Sequence, residues 1–290
     1  MSEVWIEIAP GVRRVRAANP GPMTHTGTNA YVLGGVVVDP GPDDPDHRAA
    51  LIAAAEGRVE AIVLTHTHLD HSAGAPALAV ATGAPIWGFG PHGTGMSEAM
   101  RQLAQEDVGG GEGADRRVAI DRRLADGERF EISGTVLTAL HTPGHISNHL
   151  CFTIGDSGIV LTGDHVMGWA TSLISPPDGD MGAFMRSLDR LLAQEDRLYL
   201  PGHGEPVEDP KARLIELRDH RRMRERQILD ALAEGPATKE ALVARLYADI
   251  DPRLHGMAAR NVLSHLVDLW ERGAVAPEGA FSASAAFRLV

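Results

Sequence analysis

The chain has 290 residues, 43% of them hydrophobic, with 27 Lys/Arg against 39 Asp/Glu and a formal net charge of −12. That apolar content suffices for a full core, with room for one large domain and a small one. No apolar run approaches membrane-spanning length, which argues against a membrane partner, and the acidic excess opposes binding of a long polyanion unless basic side chains gather in space.

The opening residues Met1-Ser2-Glu3-Val4-Trp5-Ile6-Glu7 carry no basic region followed by an apolar stretch. No secretory signal is therefore expected, and the expected location is cytoplasmic. Strands are expected at residues 4–8, 12–16, 31–33 and 36–38, the last two joined at Gly34-Gly35. Helices at 45–56, 75–82 and 182–194 then alternate with strands at 61–64, 135–140, 150–154, 159–163 and 197–200, a layered α/β pattern. Residues 107–115 hold Gly109, Gly110, Gly111 and Gly113 and read as a mobile loop, either bordering the cleft or forming a surface insertion. Neither a Lys-Ser/Thr pair nor a following helix makes that loop a phosphate cradle. Arg116, Arg117, Arg122 and Arg123 fall within eight positions, and a solvated loop is favoured over a basic channel. The single cysteine, Cys151, sits in an apolar strand-like run and reads as a core residue.

Composition changes near residue 210. Residues 1–210 carry 14 Lys/Arg against 28 Asp/Glu, whereas residues 211–290 carry 13 against 11. The expected division is a catalytic domain at 1–210 and a helical C-terminal domain at 211–290. In the second, one or two helices over 211–234 precede helices at 238–247 and 254–272. A strand at 274–276, a turn at Pro277-Glu278-Gly279 and a strand at 287–290 follow. That order resembles a winged-helix domain, with Arg253, Arg260 and Arg272 as candidate phosphate contacts. Residues 222–290 nevertheless hold nine basic and nine acidic residues, so a structural or cleft-closing role is favoured over DNA binding.

The chemistry concentrates at Thr65-His66-Thr67-His68-Leu69-Asp70-His71, directly after the apolar run Ala61-Ile62-Val63-Leu64. His66 and His68, two apart, can project toward one point; Asp70 and His71, on the turn into a helix, can reach a second metal. Further candidates sit at other strand ends: His145 closing His141-Thr142-Pro143-Gly144-His145, Asp164 after residues 159–163, and His203 in Leu200-Pro201-Gly202-His203-Gly204. Each is carried by a glycine-containing turn, where backbone can approach a metal without a Cβ in the way. Nitrogen and oxygen ligands without thiolate suit Zn²⁺, and the same set tolerates Mn²⁺ or Fe²⁺. Two such cations would hold a bridging water, lower its pKa toward neutrality and polarise a carbonyl or phosphoryl oxygen, so the nucleophile would be hydroxide. His141, His149 and His165 lie near ligands in sequence, but none is assignable as the general acid, and a structural role is favoured for each.

The ordered motifs, THxHxDH, a PGH histidine, a GD aspartate and a PGHG histidine, resemble the metallo-β-lactamase superfamily. The resemblance implies an αββα sandwich with His66, His68 and His145 on one metal and Asp70, His71 and His203 on the other. Asp164 would bridge them, and Asp70 and Asp164 would be the carboxylates at the reacting centre. Asp39 resembles the family's early aspartate, which supports the ligand loop by hydrogen bonding; a turn-forming Asp before Pro40-Gly41 is the other reading. With the winged-helix tail, the chain is similar to the β-lactamase-like protein 2 group. Pro201-Gly202-His203-Gly204-Glu205-Pro206, His220-Arg221 and Arg226-Gln227-Ile228-Leu229 carry that similarity. The group includes a single-strand endoribonuclease, and related fungal proteins act as thioesterases. It implies a dinuclear zinc hydrolase acting on an ester, thioester, lactone or phosphodiester, in a small molecule or in single-stranded RNA. The sequence departs from those relatives at Ile146-Ser147-Asn148. Two other readings are an oxidoreductase of the sulfur dioxygenase type with one iron, and a nucleic-acid-binding regulator with a vestigial site.

Overall fold

The strands of this protein alternate between two apolar environments rather than between core and water, and this is what stacks its layers. A computed structural model describes residues 4–111, 113–249 and 251–290. Residues Met1-Ser2-Glu3 of the opening segment and Glu112 of the glycine-rich loop lie outside the described residues.

Seven strands form the first sheet in chain order: β1 (Ile6–Ala9), β2 (Val12–Arg16), β3 (Asn29–Leu33), β4 (Val36–Val38), β5 (Ala61–Val63), β6 (Ile86–Gly88) and β7 (Arg122–Arg123). Pairing is antiparallel from β1 to β4 and parallel from β4 to β7. The second sheet runs through β8 (Arg129–Ile132), β9 (Thr135–His141), β10 (Leu150–Ile154), β11 (Ile159–Gly163) and β12 (Leu198–Pro201), its last pair parallel. Tyr31, Leu33, Val36, Val38 and Val63 face Leu150, Phe152, Leu161 and Leu200 between the sheets. Their alternates Val32, Val37 and Ile62 pack outward on Leu51 of α1 (Pro45–Ala54) and Leu78 of α3 (Ala75–Thr82), with the one-turn α2 (Leu69–Ser72) lying between those helices in the chain. Across the molecule Cys151, Val160 and Tyr199 pack on Phe184 and Leu188 of α5 (Met181–Leu192). The result is the expected helix–sheet–sheet–helix sandwich.

Four elements carry no periodic signal and escape sequence reading: β6, β8, the two-residue β7, which takes Arg122 and Arg123 out of the expected solvated loop by pairing beside Trp87 and Gly88, and the six-residue α4 (Glu98–Leu103), which is capped by the Ser97 side chain. The long α6 (Pro210–Leu232) is one helix, and it serves two cores. Leu214 and Leu217 pack with α5, whereas Ile228, Ala231 and Leu232 join α7 (Lys239–Leu246) and α8 (His255–Glu271). The hairpin β13 (Val275–Pro277) and β14 (Phe287–Leu289) completes the winged-helix order. Met100 and Leu103 of α4 are buried in that same cluster, so a short helix between β6 and β7 supplies part of the core of the C-terminal module.

The basic residues singled out in the tail are not a free face. Arg272 pairs with Asp268 and Glu225, and Arg253 with Asp251. Arg260 instead donates from Nε to Ser175 Oγ at 2.9 Å, toward the first domain. Arg116, Arg117, Arg122 and Arg123 are all exposed, and Arg122 pairs with Glu128. Among the described residues no helix is long and apolar enough to cross a membrane.

Cys151 is fully buried, its sulfur accepts from Thr142 Oγ1 at 3.2 Å, and burial pushes the thiol up to about 12. A thiol held protonated is neither nucleophile nor metal ligand. Cys151→Ser is expected to cost about 1–3 kcal/mol through the added polar group, read from the denaturant midpoint, with turnover unchanged. A well-folded but inactive variant would overturn the core assignment.

Candidate metal centre

The site begins with Asp39 at the end of β4. Its backbone takes a left-handed φ of 51°, and its carboxylate crosses to the loop after β5. Oδ1 accepts the Thr65 backbone N–H at 2.7 Å, and Oδ2 accepts Thr65 Oγ1 at 2.6 Å while meeting His71 Nδ1 at 3.0 Å. Of the two readings of this residue, bracing the loop is the one its side chain performs. Asn148, in the stretch that departs from the expected pattern, braces the same loop by donating to Thr67 Oγ1 at 2.8 Å.

All seven residues singled out in the sequence come together at the strand ends. Nε2 of His66 and Nε2 of His145 stand 3.0 and 2.9 Å from Nδ1 of His68. Nε2 of His203 lies 3.2 Å from Nε2 of His71 and 3.1 Å from Asp70 Oδ2. Asp164 lies between the two groups, with Oδ1 3.4 Å from His71 and Oδ2 3.4 Å from His203 and 3.7 Å from His145. Imidazole nitrogens that aim at one another this closely can share at most one proton per pair. The spacing is instead near the ~3.3 Å edge of a tetrahedron around a cation with bonds of about 2.0–2.1 Å. Asp164 Oδ1 is buried with no hydrogen-bond donor, the condition of a carboxylate oxygen awaiting a cation. Two clusters, His66–His68–His145 and Asp70–His71–His203, are thus able to bind metal ions. A third grouping of Asp39 with His66 and His71 is geometrically close, but both Asp39 oxygens are already engaged by Thr65 and His71.

The far nitrogens of these rings are tied down, which orients the ligating edges. His66 Nδ1 meets Thr65 Oγ1 at 2.9 Å, His145 Nδ1 meets the Leu173 carbonyl at 2.8 Å and His203 Nδ1 meets the Gly27 carbonyl at 3.3 Å. The two groups differ in charge. Burial, with the neighbouring His145, pushes His68 down to about 3, and burial with His71 and His68 holds His66 well below its usual value, so both are neutral. At the other group burial opposes charge, yet Asp70 and Asp164 overcome it and raise His71, while Asp164 raises His203 to about 9. Burial also works against the Asp70 carboxylate, but His71 brings it down to about 2.

None of the three histidines considered as proton donors lines the cavity. His149 is buried, meeting Thr142 Oγ1 at 3.0 Å and accepting the Asp164 N–H at 3.2 Å, which sets the backbone of a cluster residue. His141 stacks on Phe89 with ring centroids 3.8 Å apart, and His165 is buried against Phe184.

Above the cluster opens a cleft with two lobes of about 420 and 340 Å³, both walled by Met23, His145, Asp164, Leu173 and Met257. Gly110, Gly111 and Gly113 border the smaller lobe, so the glycine-rich loop lies at the cleft. It is held there by Leu69 N–H donating to Gly113 O at 2.8 Å and Asp115 N–H to Thr67 O at 2.7 Å. The larger lobe takes its far wall from the C-terminal module, through Arg221, Arg224, Tyr247, Leu254, Met257 and Asn261. Sequence reasoning missed most of these wall residues. Trp169, stacked at 4.7 Å on His25, Leu173 and Met257 belong to no motif, and His220-Arg221 stood out only as a mark of resemblance.

Residues 23–203 match the metallo-β-lactamase superfamily, and residues 238–283 match the β-lactamase-associated winged helix domain. The chain is 31% identical over 262 residues to an atrochrysone carboxyl ACP thioesterase of Aspergillus chevalieri, covering 88% of this chain and 76% of that one. A metallo-β-lactamase family protein of Thermus thermophilus superposes with a TM-score of 0.76 at 25% identity, covering 98% of this chain and all of that one. Another structure of the fold, 27% identical with a TM-score of 0.52 over 68% of this chain and 96% of that one, was solved in a di-iron-bound form. The chain belongs to the metallo-β-lactamase superfamily of hydrolases and carries the family's associated winged helix domain.

Proposed function

We propose that this protein is a dinuclear metal-dependent thioesterase, with His66, His68 and His145 on one cation, Asp70, His71 and His203 on the other, and Asp164 between them. Zinc is the proposed metal, since the donor set is imidazole and carboxylate without thiolate; iron is the principal competitor. Two bound cations would supply Lewis acidity and an activated water. The protein's own residues do the rest. Asp39 and Thr65 hold the ligand loop, His149 sets the Asp164 backbone, and the cleft orients the acyl group over the cluster.

The observation that carries the thioester choice is the proton inventory of the cleft. Beyond the cluster, the proton-bearing groups of its lining are His220 and Tyr247, which belong to the wall that the C-terminal module supplies, and Asp178, which meets His92 at 3.3 Å. None of His141, His149 or His165 reaches it, so no donor of the strand ends faces the leaving group. An amine or alkoxide leaving group requires a proton during cleavage. A thiolate, with a conjugate acid near pKa 8.5, departs without one. The similarity to an acyl-carrier thioesterase supports the same choice. The charge of the C-terminal module supports a small-molecule or carrier-held substrate over a long polyanion, because its candidate phosphate contacts Arg253 and Arg272 are already paired.

The test is metal content per chain by elemental analysis, run beside hydrolysis of butyryl-N-acetylcysteamine and bis-p-nitrophenyl phosphate. Two zinc equivalents with thioester cleavage are the expected result. Phosphodiester cleavage alone would replace the substrate class, and one iron equivalent without hydrolysis would favour the oxidoreductase reading.

A further inference from the structure

The wall of the larger lobe contains a buried cation without a counter-ion. Arg221 of α6 is 3% exposed, and among the described residues it pairs with no carboxylate. Its Nη2 donates to the Ser172 carbonyl, its face lies 5.5 Å from the Phe184 ring, and its Nε is buried with no acceptor. One turn along the helix, Arg224 lies 4.2 Å over the Tyr247 ring, again with no carboxylate within ion-pairing distance. His220 beside them has a buried Nδ1 without a partner. All three side chains line the same lobe as His145 and Asp164.

In a chain with net charge −12, other arginines on or against this helix do find carboxylates: Arg213 pairs with Glu216, Arg218 with Asp189 of α5, and Arg272, just past α8, with Glu225. Of the helix's basic residues that form no ion pair among the described residues, Lys211, Arg222 and Arg226 are exposed to water, whereas Arg221 is buried and Arg224 half-buried against the cleft. A buried guanidinium with open donors is costly unless an anion completes it. Its planar fork, with a second cation one turn away, matches a phosphate or carboxylate. Burial brings Arg221 down to about 10, still charged at neutral pH.

We propose that Arg221 and Arg224, with His220, form a recognition site for an anionic group on the substrate, remote from the scissile bond. The apolar residues Met167, Trp169 and Leu173 line the same lobe as that site and the cluster residues His145 and Asp164, so the substrate that fills it is amphipathic, with a reacting carbonyl and a separate charge. The proposal rests on the thioesterase reading for the identity of the scissile bond. The anion has two sources: a phosphate on the thiol side, as in a phosphopantetheine arm, or a carboxylate on the acyl side. Arg221 also pins Ser172, whose hydroxyl donates to the Asp164 carbonyl at 2.5 Å, so truncating it would disturb the ligand loop. Arg224 carries the test.

The metal-loaded full chain and its Arg224→Gln and Arg221→Lys variants would be assayed on butyryl-CoA, glutaryl-N-acetylcysteamine and butyryl-N-acetylcysteamine. Expected is a roughly tenfold fall, in Arg224→Gln, in the kcat/KM of one anionic substrate relative to the uncharged one, carried by KM. Arg221→Lys, which keeps the charge, should retain most of that ratio. Which anionic substrate responds identifies the source. Ratios unchanged for both anionic substrates would overturn the proposal, as would an equal loss on all three. Calorimetric titration of S-methyl-phosphopantetheine, S-methylpantetheine and glutarate into each protein separates this from the thioesterase reading. If no thioester is cleaved but an anion-bearing probe binds about tenfold more weakly to Arg224→Gln, the site stands and the thioesterase reading falls; equal binding of every probe to both proteins removes the site.

Discussion

Asp164→Ala is expected to abolish turnover, by at least about 10²–10³-fold, and to strip the protein of bound metal while leaving it folded and soluble. Asp164 is the residue within reach of both histidine groups, 3.4 Å from His71, 3.4 Å from His203 and 3.7 Å from His145, so its loss removes an oxygen from each. His68→Ala should behave alike, since Nδ1 of His68 contacts both other nitrogens of its group. Elemental analysis and steady-state hydrolysis decide it, with circular dichroism as the control on folding. Retained activity in the Asp164 variant would sink the bridging assignment. The metal-free variant should also be less stable than metal-free wild type, because the carboxylate that favours the protonated form of His203 is gone. The sign follows from the raised pKa of His203. Its contribution is fully present below about pH 6.5 and is lost as pH rises through about 9, so the stability gap should close over that interval.

Gly202→Ala is the second large effect expected, and it acts without touching a ligand. A Cβ at residue 202 would lie 2.6 Å from Asp164 Oδ1 and 2.6 Å from His71 Cε1. The backbone cannot retreat easily, since the Gly202 N–H donates to the Gly163 carbonyl at 2.9 Å and its carbonyl accepts from Asn29 N–H at 2.7 Å. The added methyl must displace the Asp164 carboxylate and the His71 ring at once. Metal affinity should fall about 10–100-fold and turnover at least as much, with thermal unfolding shifted by only a few degrees. Full metal content and wild-type turnover would show that the strand end is softer than its hydrogen bonds indicate.

These two substitutions mark the boundary of what the chain reveals by its order alone. The ligands could be read because metal chemistry restricts side-chain type severely and the turns that present them are local, so each of His66, His68, Asp70, His71, His145, Asp164 and His203 stands at a strand end visible in the sequence. The expected helices and strands were found within a few residues where an apolar run is bounded by turn or capping residues, as over β4 after Gly34-Gly35 and α3 between Gly74 and Gly83. Short elements with no period, β6 and α4, were not legible, and α4 turned out to help fill the core of the C-terminal module.

What the sequence determined by itself was the kind of centre and the layered fold around it, because both depend on residue identity at short range. Tertiary structure alone decided which far nitrogen each ring uses to fix its tautomer, why the cleft holds none of the nearby histidines as a proton donor, and which residues wall it. Arg221, Arg224, Tyr247 and Met257 come from α6 onward, yet they face Asp164 across one lobe. No local rule places them there. Their positions follow from a helix shared by two cores and from the burial of a module that packs back onto the strand ends, a property of the whole chain's apolar surface rather than of any segment.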